Sequence, residues 1–257
     1  MHRFMSVFQL MSRLPVRVRR EPDFSAASLF IPFMGLFAGL AGCSGAAVGM
    51  ALFGPGLAAA VAAMTAQYLA FNLFHLDGLL DTADALGVPG DTERRRAVLK
   101  DPRIGSYGFF AGFALLSGRL AATADLLAAG WTPALAALLL APPAGRLAAM
   151  LAAWRREPAA PGGLASVVGR VSLPAATAGY LLAVVPSAVL FGMASGPWYA
   201  AVVVVAGFVL AAATGLAVGR LYSRKFGGYT GDALGAAVEI GELLALLTAA
   251  AAFRFAI

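Results

Sequence analysis

The sequence predicts an all-α integral membrane protein, a polytopic bundle of about seven transmembrane helices preceded by an amphipathic segment. Hydrophobic residues make up 60% of the 257 residues and charged residues only 12%, and the mean hydropathy is +0.81. Ordinary globular domains carry about 25% charged residues. With so few polar side chains, a soluble domain could not cover its surface. We treat residues 1–257 as a single membrane domain.

The N-terminal residues 1–24 are more polar than the rest of the chain. Phe4, Phe8 and Met11 recur at helical spacing, and Arg3 and Arg13 flank them. This pattern favours an amphipathic helix on the cytoplasmic membrane surface. A disordered basic tail is the alternative.

Seven apolar runs follow, and each approaches the roughly 20 residues that a helix needs to cross a membrane. The first run contains several glycines three or four residues apart, which predicts close helix packing. The same surface could pack against a second copy of the chain, so a homo-oligomer is possible. The predicted spans are 30–52, 57–76, 107–128, 133–153, 173–194, 198–219 and 233–253.

The basic residues fix an orientation for these spans. Sixteen of the nineteen Lys and Arg residues lie before the first span or in alternate connections, at 77–106, 154–172 and 220–232. Because Lys and Arg in short loops mark the cytoplasmic side, we expect a cytoplasmic N-terminus. The net charge of +6 is explained in this way. We therefore expect the lipid bilayer, and not nucleic acid, as a partner.

A dense island of charge at residues 75–108 interrupts the apolar sequence. It holds six of the thirteen acidic residues and five of the nineteen basic ones. Asp77, Asp81 and Asp84 are spaced i, i+4 and i+7, so a helix places them on one stripe. Three carboxylates on one stripe repel each other unless a cation lies among them. A hard divalent cation that also binds a substrate phosphate is the usual solution.

Other residues of the island extend this candidate site. Pro102 and the glycines of KDPRIGSYG shape a tight loop in which Lys100 and Arg103 can meet phosphate. We include Asp101 of the same loop as a candidate for substrate binding. On a regular helix, His75 would point away from the aspartate stripe. We keep it as a candidate site residue, and the alternative is a buried packing role.

A second acidic cluster begins the last span. Asp232 follows Gly231, and Glu239 and Glu242 lie two and three turns further along the helix. Glycines permit close backbone approach to a ligand, and a helix N-terminus favours anions. By the predicted topology both clusters open on the cytoplasmic side, where they would suit metal-bound diphosphate chemistry. The alternative is that these acids cap helices or pair with arginines.

Charged residues also occur inside the apolar spans, where they are costly and usually face the bundle interior. Arg146 lies near the cytoplasmic end of its span and is a candidate for binding substrate or forming an ion pair. Arg119 lies deeper and is a candidate for a structural ion pair.

Three strings resemble the cobalamin synthase (adenosylcobinamide-GDP ribazoletransferase) family over nearly the whole chain. They are HLDGLLDTADALG at 75–87, KDPRIGSYG at 100–108 and GYTGDALGAAVEIGE at 228–242. LMSRLPV before FIPFMGLFAG fits the same pattern, whereas FNLFHLDG departs from it where the family has Gly before the His.

The resemblance implies the last assembly step of cobalamin synthesis. A Mg²⁺-dependent enzyme of a bacterial inner membrane would join adenosylcobinamide-GDP to α-ribazole or its 5′-phosphate and release GMP, with its active site facing the cytoplasm. Asp77, Asp81 and Asp84 would bind the metal. The remaining roles implied are catalysis by Asp81, Asp84, Asp232 and His75, and substrate binding by Lys100, Asp101, Arg103, Arg146, Gly231, Glu239 and Glu242.

Three alternatives are weaker. A CDP-alcohol phosphotransferase needs Ala-Arg where this chain has Asp81 and Thr82. A polyprenyl transferase needs a second DxxxD motif, which residues 226–242 lack. A transporter would explain the buried charges but not the crowding of acids at one membrane face.

Overall fold

The computed structural model describes residues 1–16, 20–160 and 167–256, except the side chains of residues 255 and 256. This part of the chain is helical and contains no β-strand, which confirms the all-α prediction. Its helices are α1 (His2–Met11), α2 (Ala27–Phe53), α3 (Leu57–Gln67), α4 (Leu73–Gly87), α5 (Thr92–Val98), α6 (Ser106–Ala129), α7 (Trp131–Ala153), α8 (Leu173–Ser195), α9 (Pro197–Phe226) and α10 (Gly231–Ala256), and a π-helical turn (Tyr68–Asn72) joins α3 to α4.

Seven segments of the described chain are long and apolar enough to cross a membrane, as predicted. The second span is longer than the sequence pattern indicated. It continues from Leu57 to Gly87 instead of ending at residue 76, because buried Leu79 and Ala85 alternate with the acidic residues and keep one face of the helix packed. The aspartate stripe is therefore the end of a membrane-spanning helix.

Helix α7 forms the centre of the bundle. Every residue from 136 to 153 is buried, and the helix contacts α2, α8, α9 and α10. A helix that is apolar all round is expected to be enclosed on every side. The neighbouring spans therefore pack around α7, which is enclosed by protein.

The glycines of α2 let it approach two neighbours closely. A methyl group on Gly35 or Gly39 would overlap backbone atoms of α7 near Pro143, and one on Gly45 or Gly49 would overlap α3. The predicted packing role of these glycines is confirmed. They pack within the chain, so self-association stays a prediction.

The predicted amphipathic helix is present as α1, and its apolar face packs against the bundle. Phe4 and Phe8 form edge-to-face pairs with Phe37 of α2 at 5.8 and 5.5 Å between ring centroids. Beyond the helix, the backbone N–H of Arg13 donates to the carbonyl of Ala70 in the π-helical turn at 2.8 Å. Arg17 and Arg19 of the predicted basic segment lie outside the described residues.

A buried network of charges lies between the helices. Glu242 accepts from Arg146 at 2.7 Å and from Arg119 at 2.8 Å, and Arg119 also reaches Glu239 at 3.4 Å. Two arginines and two glutamates leave no formal net charge. Amide and phenol donors from one neighbouring span complete the network, namely Gln67, Tyr68 and Asn72.

The π-helical turn is what presents these donors together. Tyr68 and Asn72 bracket the turn, Tyr68 donates to Glu239 at 2.5 Å, and Asn72 donates to both glutamates. A π-turn inserts one residue into the helical register and rotates the following segment. It therefore sets the direction of α4 and of its aspartates.

Replacing Gly35 by Ala should destabilise the protein by about 1–3 kcal/mol, because the methyl group overpacks the α2–α7 contact. Thermal unfolding of the detergent-solubilised protein measures the effect. The matched control is Gly192→Ala in α8, where the nearest atom to an added Cβ is 4.0 Å away. Equal stability of the two variants would contradict the packing described here.

Replacing Glu242 by Gln should cost about 3–5 kcal/mol, because two buried guanidiniums then share a single carboxylate. Adding Arg146→Met restores charge balance, so the double variant should unfold at a higher temperature than the sum of the single effects predicts. Glu93→Gln on exposed α5 is the control and should be neutral. Strictly additive effects of Glu242→Gln and Arg146→Met would show that the two side chains are not coupled.

Candidate active site at the charged end

The connections that carry the sequence motifs meet at one end of the bundle. We call this the charged end and define it by residues 77–105, 154–160, 167–172 and 220–232. Ala159 N–H donates to the carbonyl of Tyr229 at 2.9 Å, and Tyr229 N–H donates to the carbonyl of Glu157 at 3.2 Å.

Arg96 of α5 ties the first of these connections to the other two. Its guanidinium donates to the carbonyl of Phe226 at 2.6 and 2.8 Å and to that of Ala159 at 3.1 Å. Sequence patterning showed Arg96 only as one member of a basic run. Its bridging role depends on carbonyls more than sixty residues away, which no local pattern contains.

Helices α4 and α10 touch backbone to backbone beside the aspartates. A Cβ on Gly78 would lie 2.9 Å from the Cα of Asp232, and a Cβ on Gly235 would lie 2.8 Å from the carbonyl oxygen of His75. Neither position has room for a larger residue. This contact brings the aspartate stripe of α4 next to Asp232 at the start of α10.

Three of the four aspartates form a group with unused oxygens. Asp81 interacts electrostatically with Asp77 and Asp232 and is half-buried, whereas Asp77 is exposed. Within the described ranges, neither the carboxylate of Asp77 nor that of Asp81 has a hydrogen bond or an ion pair. Asp232 accepts from the hydroxyl of Thr230 at 3.1 Å. The group is rich in negative charge, and no Lys or Arg of the described residues forms an ion pair with it.

Asp84, the fourth aspartate, already uses both carboxylate oxygens in hydrogen bonds within the protein. It is 9% exposed, and its two oxygens accept the backbone N–H groups of Gly105 at 2.8 Å and Gly108 at 2.9 Å. It thereby caps the N-terminus of α6, where a carboxylate also suits the helix dipole. Its predicted metal-binding and catalytic roles stay predictions.

The loop between α5 and α6 exposes the predicted phosphate-binding residues. Arg103 donates to both oxygens of Asp101, at 2.9 and 2.7 Å, and these hydrogen bonds hold the pKa of Asp101 at about 2. Lys100 is exposed, and its ammonium makes no hydrogen bond or ion pair with the described residues. An incoming anion would therefore find Lys100 unengaged and Arg103 already paired.

Four other predicted site residues are buried. Arg146, Glu239 and Glu242 belong to the charge network and are fully enclosed, so their predicted contact with substrate stays a prediction. His75 is 4% exposed, and its Nε2 has no hydrogen-bond partner in the described structure. Gly231 is half-buried at the first turn of α10.

The carboxylates fit a magnesium ion that is shared with a phosphate. Among the described residues, no three His, Cys, Asp or Glu side chains could hold a metal ion by themselves. Mg²⁺ does not require this, because it usually keeps several waters and binds one or two carboxylates together with substrate phosphates. The unpaired oxygens of Asp77 and Asp81 are donors of that kind.

A basic cavity, with more basic than acidic side chains, adjoins the segment that contains Tyr229, and Glu157 is its one acidic residue in the described structure. Its volume is about 610 Å³, and Trp154, Arg155, Arg156 and Arg170 line it together with Tyr229. The guanidinium of Arg155 lies 4.7 Å above the ring of Trp154. In the sequence these arginines served only to orient the spans. The structure shows that they surround a cavity suited to an anion with an aromatic ring.

Sequence reasoning also missed the polar residues that hold α4 in place. Thr82 hydrogen-bonds Tyr222 of α9 at 2.6 Å. Gln67 and Asn72, in the charge network, were passed over as ordinary members of a span. Two amides inside an apolar run are a usable signal, because polar groups in lipid need partners.

Comparison with known proteins identifies the family of the chain. The model of the cobalamin-5-phosphate synthase (CobS) family matches residues 3–250. A protein of Citrobacter koseri named adenosylcobinamide-GDP ribazoletransferase is 35% identical over 250 residues, which cover 95% of this chain and 97% of that protein. No solved structure matches the chain. The match spans all three motifs and the helices that carry them, and the chain belongs to the cobalamin-5-phosphate synthase family.

Proposed function

We propose that the protein transfers the cobinamide-phosphate part of adenosylcobinamide-GDP to α-ribazole or to its 5′-phosphate. The products are adenosylcobalamin, or its 5′-phosphate, and GMP. The name of the Citrobacter koseri relative supports these substrates. The structural observation that carries the proposal is the meeting of Asp77, Asp81 and Asp232 at the charged end, where no described Lys or Arg forms an ion pair with them.

Mg²⁺ is the proposed cofactor. Asp77 and Asp81 would hold it, with Asp232 as the neighbouring carboxylate and Asp84 the least available of the four. When bound, the ion would neutralise charge on the diphosphate oxygens. The aspartates themselves lie at the end of a membrane span whose direction is set by the π-helical turn and by the Gly78–Gly235 contact. Their spacing is therefore fixed before substrate arrives.

The transfer exchanges one P–O bond for another. A ribose hydroxyl oxygen of α-ribazole attacks the phosphorus that carries the corrinoid arm, and the bond from that phosphorus to the GMP oxygen breaks. The half-buried carboxylates of Asp81 and Asp232 are placed to accept the hydroxyl proton. Lys100 and Arg103 supply positive charge from the loop beside them. His75 as the proton acceptor stays an open alternative.

The basic cavity would receive the guanosine part of the substrate. Arg155 and Arg170 can pair with phosphate, and Trp154 offers a ring for stacking. The cavity reaches Tyr229, three residues before Asp232, so a nucleotide there would extend toward the aspartates. This position would direct the scissile phosphate to the carboxylate group.

The proposed location is a bacterial inner membrane, with the charged end in the cytoplasm. The seven apolar spans support a multi-pass membrane protein. Sixteen of the nineteen Lys and Arg residues lie before the first span or in the connections at 77–106, 154–172 and 220–232, which is the bias expected of cytoplasmic segments.

Replacing Asp81 by Asn should lower transfer at least about 100-fold, because the change removes the charge at the centre of the carboxylate group. GMP release and adenosylcobalamin formation are measured with purified protein in proteoliposomes, with both substrates and with Mg²⁺ varied.

The matched control is Asp91→Asn, in the same charged island. Asp91 caps α5 by accepting the N–H of Arg94 at 2.9 Å, and Asn can cap in its place. Asp91→Asn should retain activity. Near-normal turnover by Asp81→Asn would exclude the proposed carboxylate site.

A further inference from the structure

A second cavity at the charged end is small and apolar. Its volume is about 210 Å³, and it lies between α1, α4, α7 and α10. Leu10, Met11, Phe74 and Met150 are among the residues that line it, and His75 and Asp232 are its polar side chains in the described structure. Sites for drug-sized ligands usually measure about 300–1,000 Å³. This cavity therefore suits one flat ring system and excludes a corrinoid.

His75 gives the cavity a single buried polar group without a partner. It is 4% exposed, its Nε2 forms no hydrogen bond with the described residues, and its ring centroid lies 3.9 Å from that of Phe74. A buried nitrogen left unpaired is costly to the fold. An imidazole in an apolar cavity can recognise a ring that carries its own nitrogen, because the two can share a hydrogen bond.

The cavity and the aspartate group share Asp232. On α4, His75 is buried in the cavity wall while Asp77, two residues later, is exposed beside Asp81. Residues two apart lie on nearly opposite sides of a helix. Helix α4 thus presents a ring-binding group on one side and a carboxylate group on the other. A nucleoside could span them, with its base in the cavity and its ribose at Asp232.

We propose that this cavity binds the aromatic base of the acceptor nucleoside. This inference rests on the proposed function, because it assigns the acceptor side of the same reaction. The base enters between α1 and α10, stacks among apolar side chains and hydrogen-bonds through a ring nitrogen to His75. The ribose then lies at the cavity mouth, where Asp232 meets the aspartate group.

Free benzimidazole, the parent ring of the base in α-ribazole, tests the inference by direct binding to the detergent-solubilised protein in titration calorimetry. Ala149→Leu fills the cavity from α7 and should weaken binding about tenfold or more, because the ring loses its apolar contacts. Ala201→Leu, an exposed position on α9, is the matched control and should bind as the wild type does.

His75→Leu provides a second variant that does not depend on filling the cavity. It removes an unpaired buried nitrogen, so the variant should unfold at no lower temperature than the wild type. It should nevertheless bind benzimidazole several-fold more weakly. Unchanged benzimidazole binding in both His75→Leu and Ala149→Leu, or no binding by the wild type, would overturn the inference.

Steady-state kinetics separate this inference from the proposed function. In Ala149→Leu the KM for α-ribazole should rise about tenfold or more, because the base loses its apolar contacts in the filled cavity. The KM for adenosylcobinamide-GDP should stay within about twofold of the wild-type value. Wild-type turnover with an unchanged KM for α-ribazole in the variant would overturn the base site and leave the transferase intact. Benzimidazole binding that is lost in the variant, without wild-type turnover, would support the base site and refute the transferase.

Discussion

The structure depends on the buried charge network between Arg119, Arg146, Glu239 and Glu242. Its members come from α6, α7 and α10, and Gln67, Tyr68 and Asn72 add the second span. Any one of these charges would be strongly unfavourable alone in a membrane interior, so each helix requires the others. The network fixes the register of four spans at once. That register in turn determines the positions of the aspartates at the charged end.

Helix α4 connects this network to the aspartates of the candidate site. The π-helical turn before it directs Tyr68 and Asn72 to the network, and the glycine contact with α10 brings Asp232 to the aspartate stripe. An apolar cavity shares Asp232 with the carboxylate group, and a basic cavity is lined by Tyr229, three residues before Asp232. A reaction that joins a nucleoside to a phosphoryl group needs these three environments next to each other: an apolar site for a base, carboxylates for a metal, and cations for phosphate.

Most of the fold was predictable because lipid imposes a simple rule on sequence. Seven apolar runs and sixteen basic residues on alternate connections gave the spans and their common charged side. Pairings between distant residues were not predictable. The stripe rule grouped Asp84 with Asp77 and Asp81, but it cannot show that Asp84 caps α6. The same limit hid the Arg96 bridge, and the two amides of the second span were a signal left unused.

We propose that Asp77 and Asp81 hold a divalent ion against a substrate phosphate. Electron–nuclear double resonance on Mn²⁺ bound in place of Mg²⁺ tests this proposal most directly, with adenosylcobinamide-GDP added to the solubilised protein. We expect bound Mn²⁺ with a ³¹P coupling in the wild type, and loss of both in the Asp77→Asn/Asp81→Asn double variant. A ³¹P-coupled Mn²⁺ signal that persists unchanged in the double variant would contradict it.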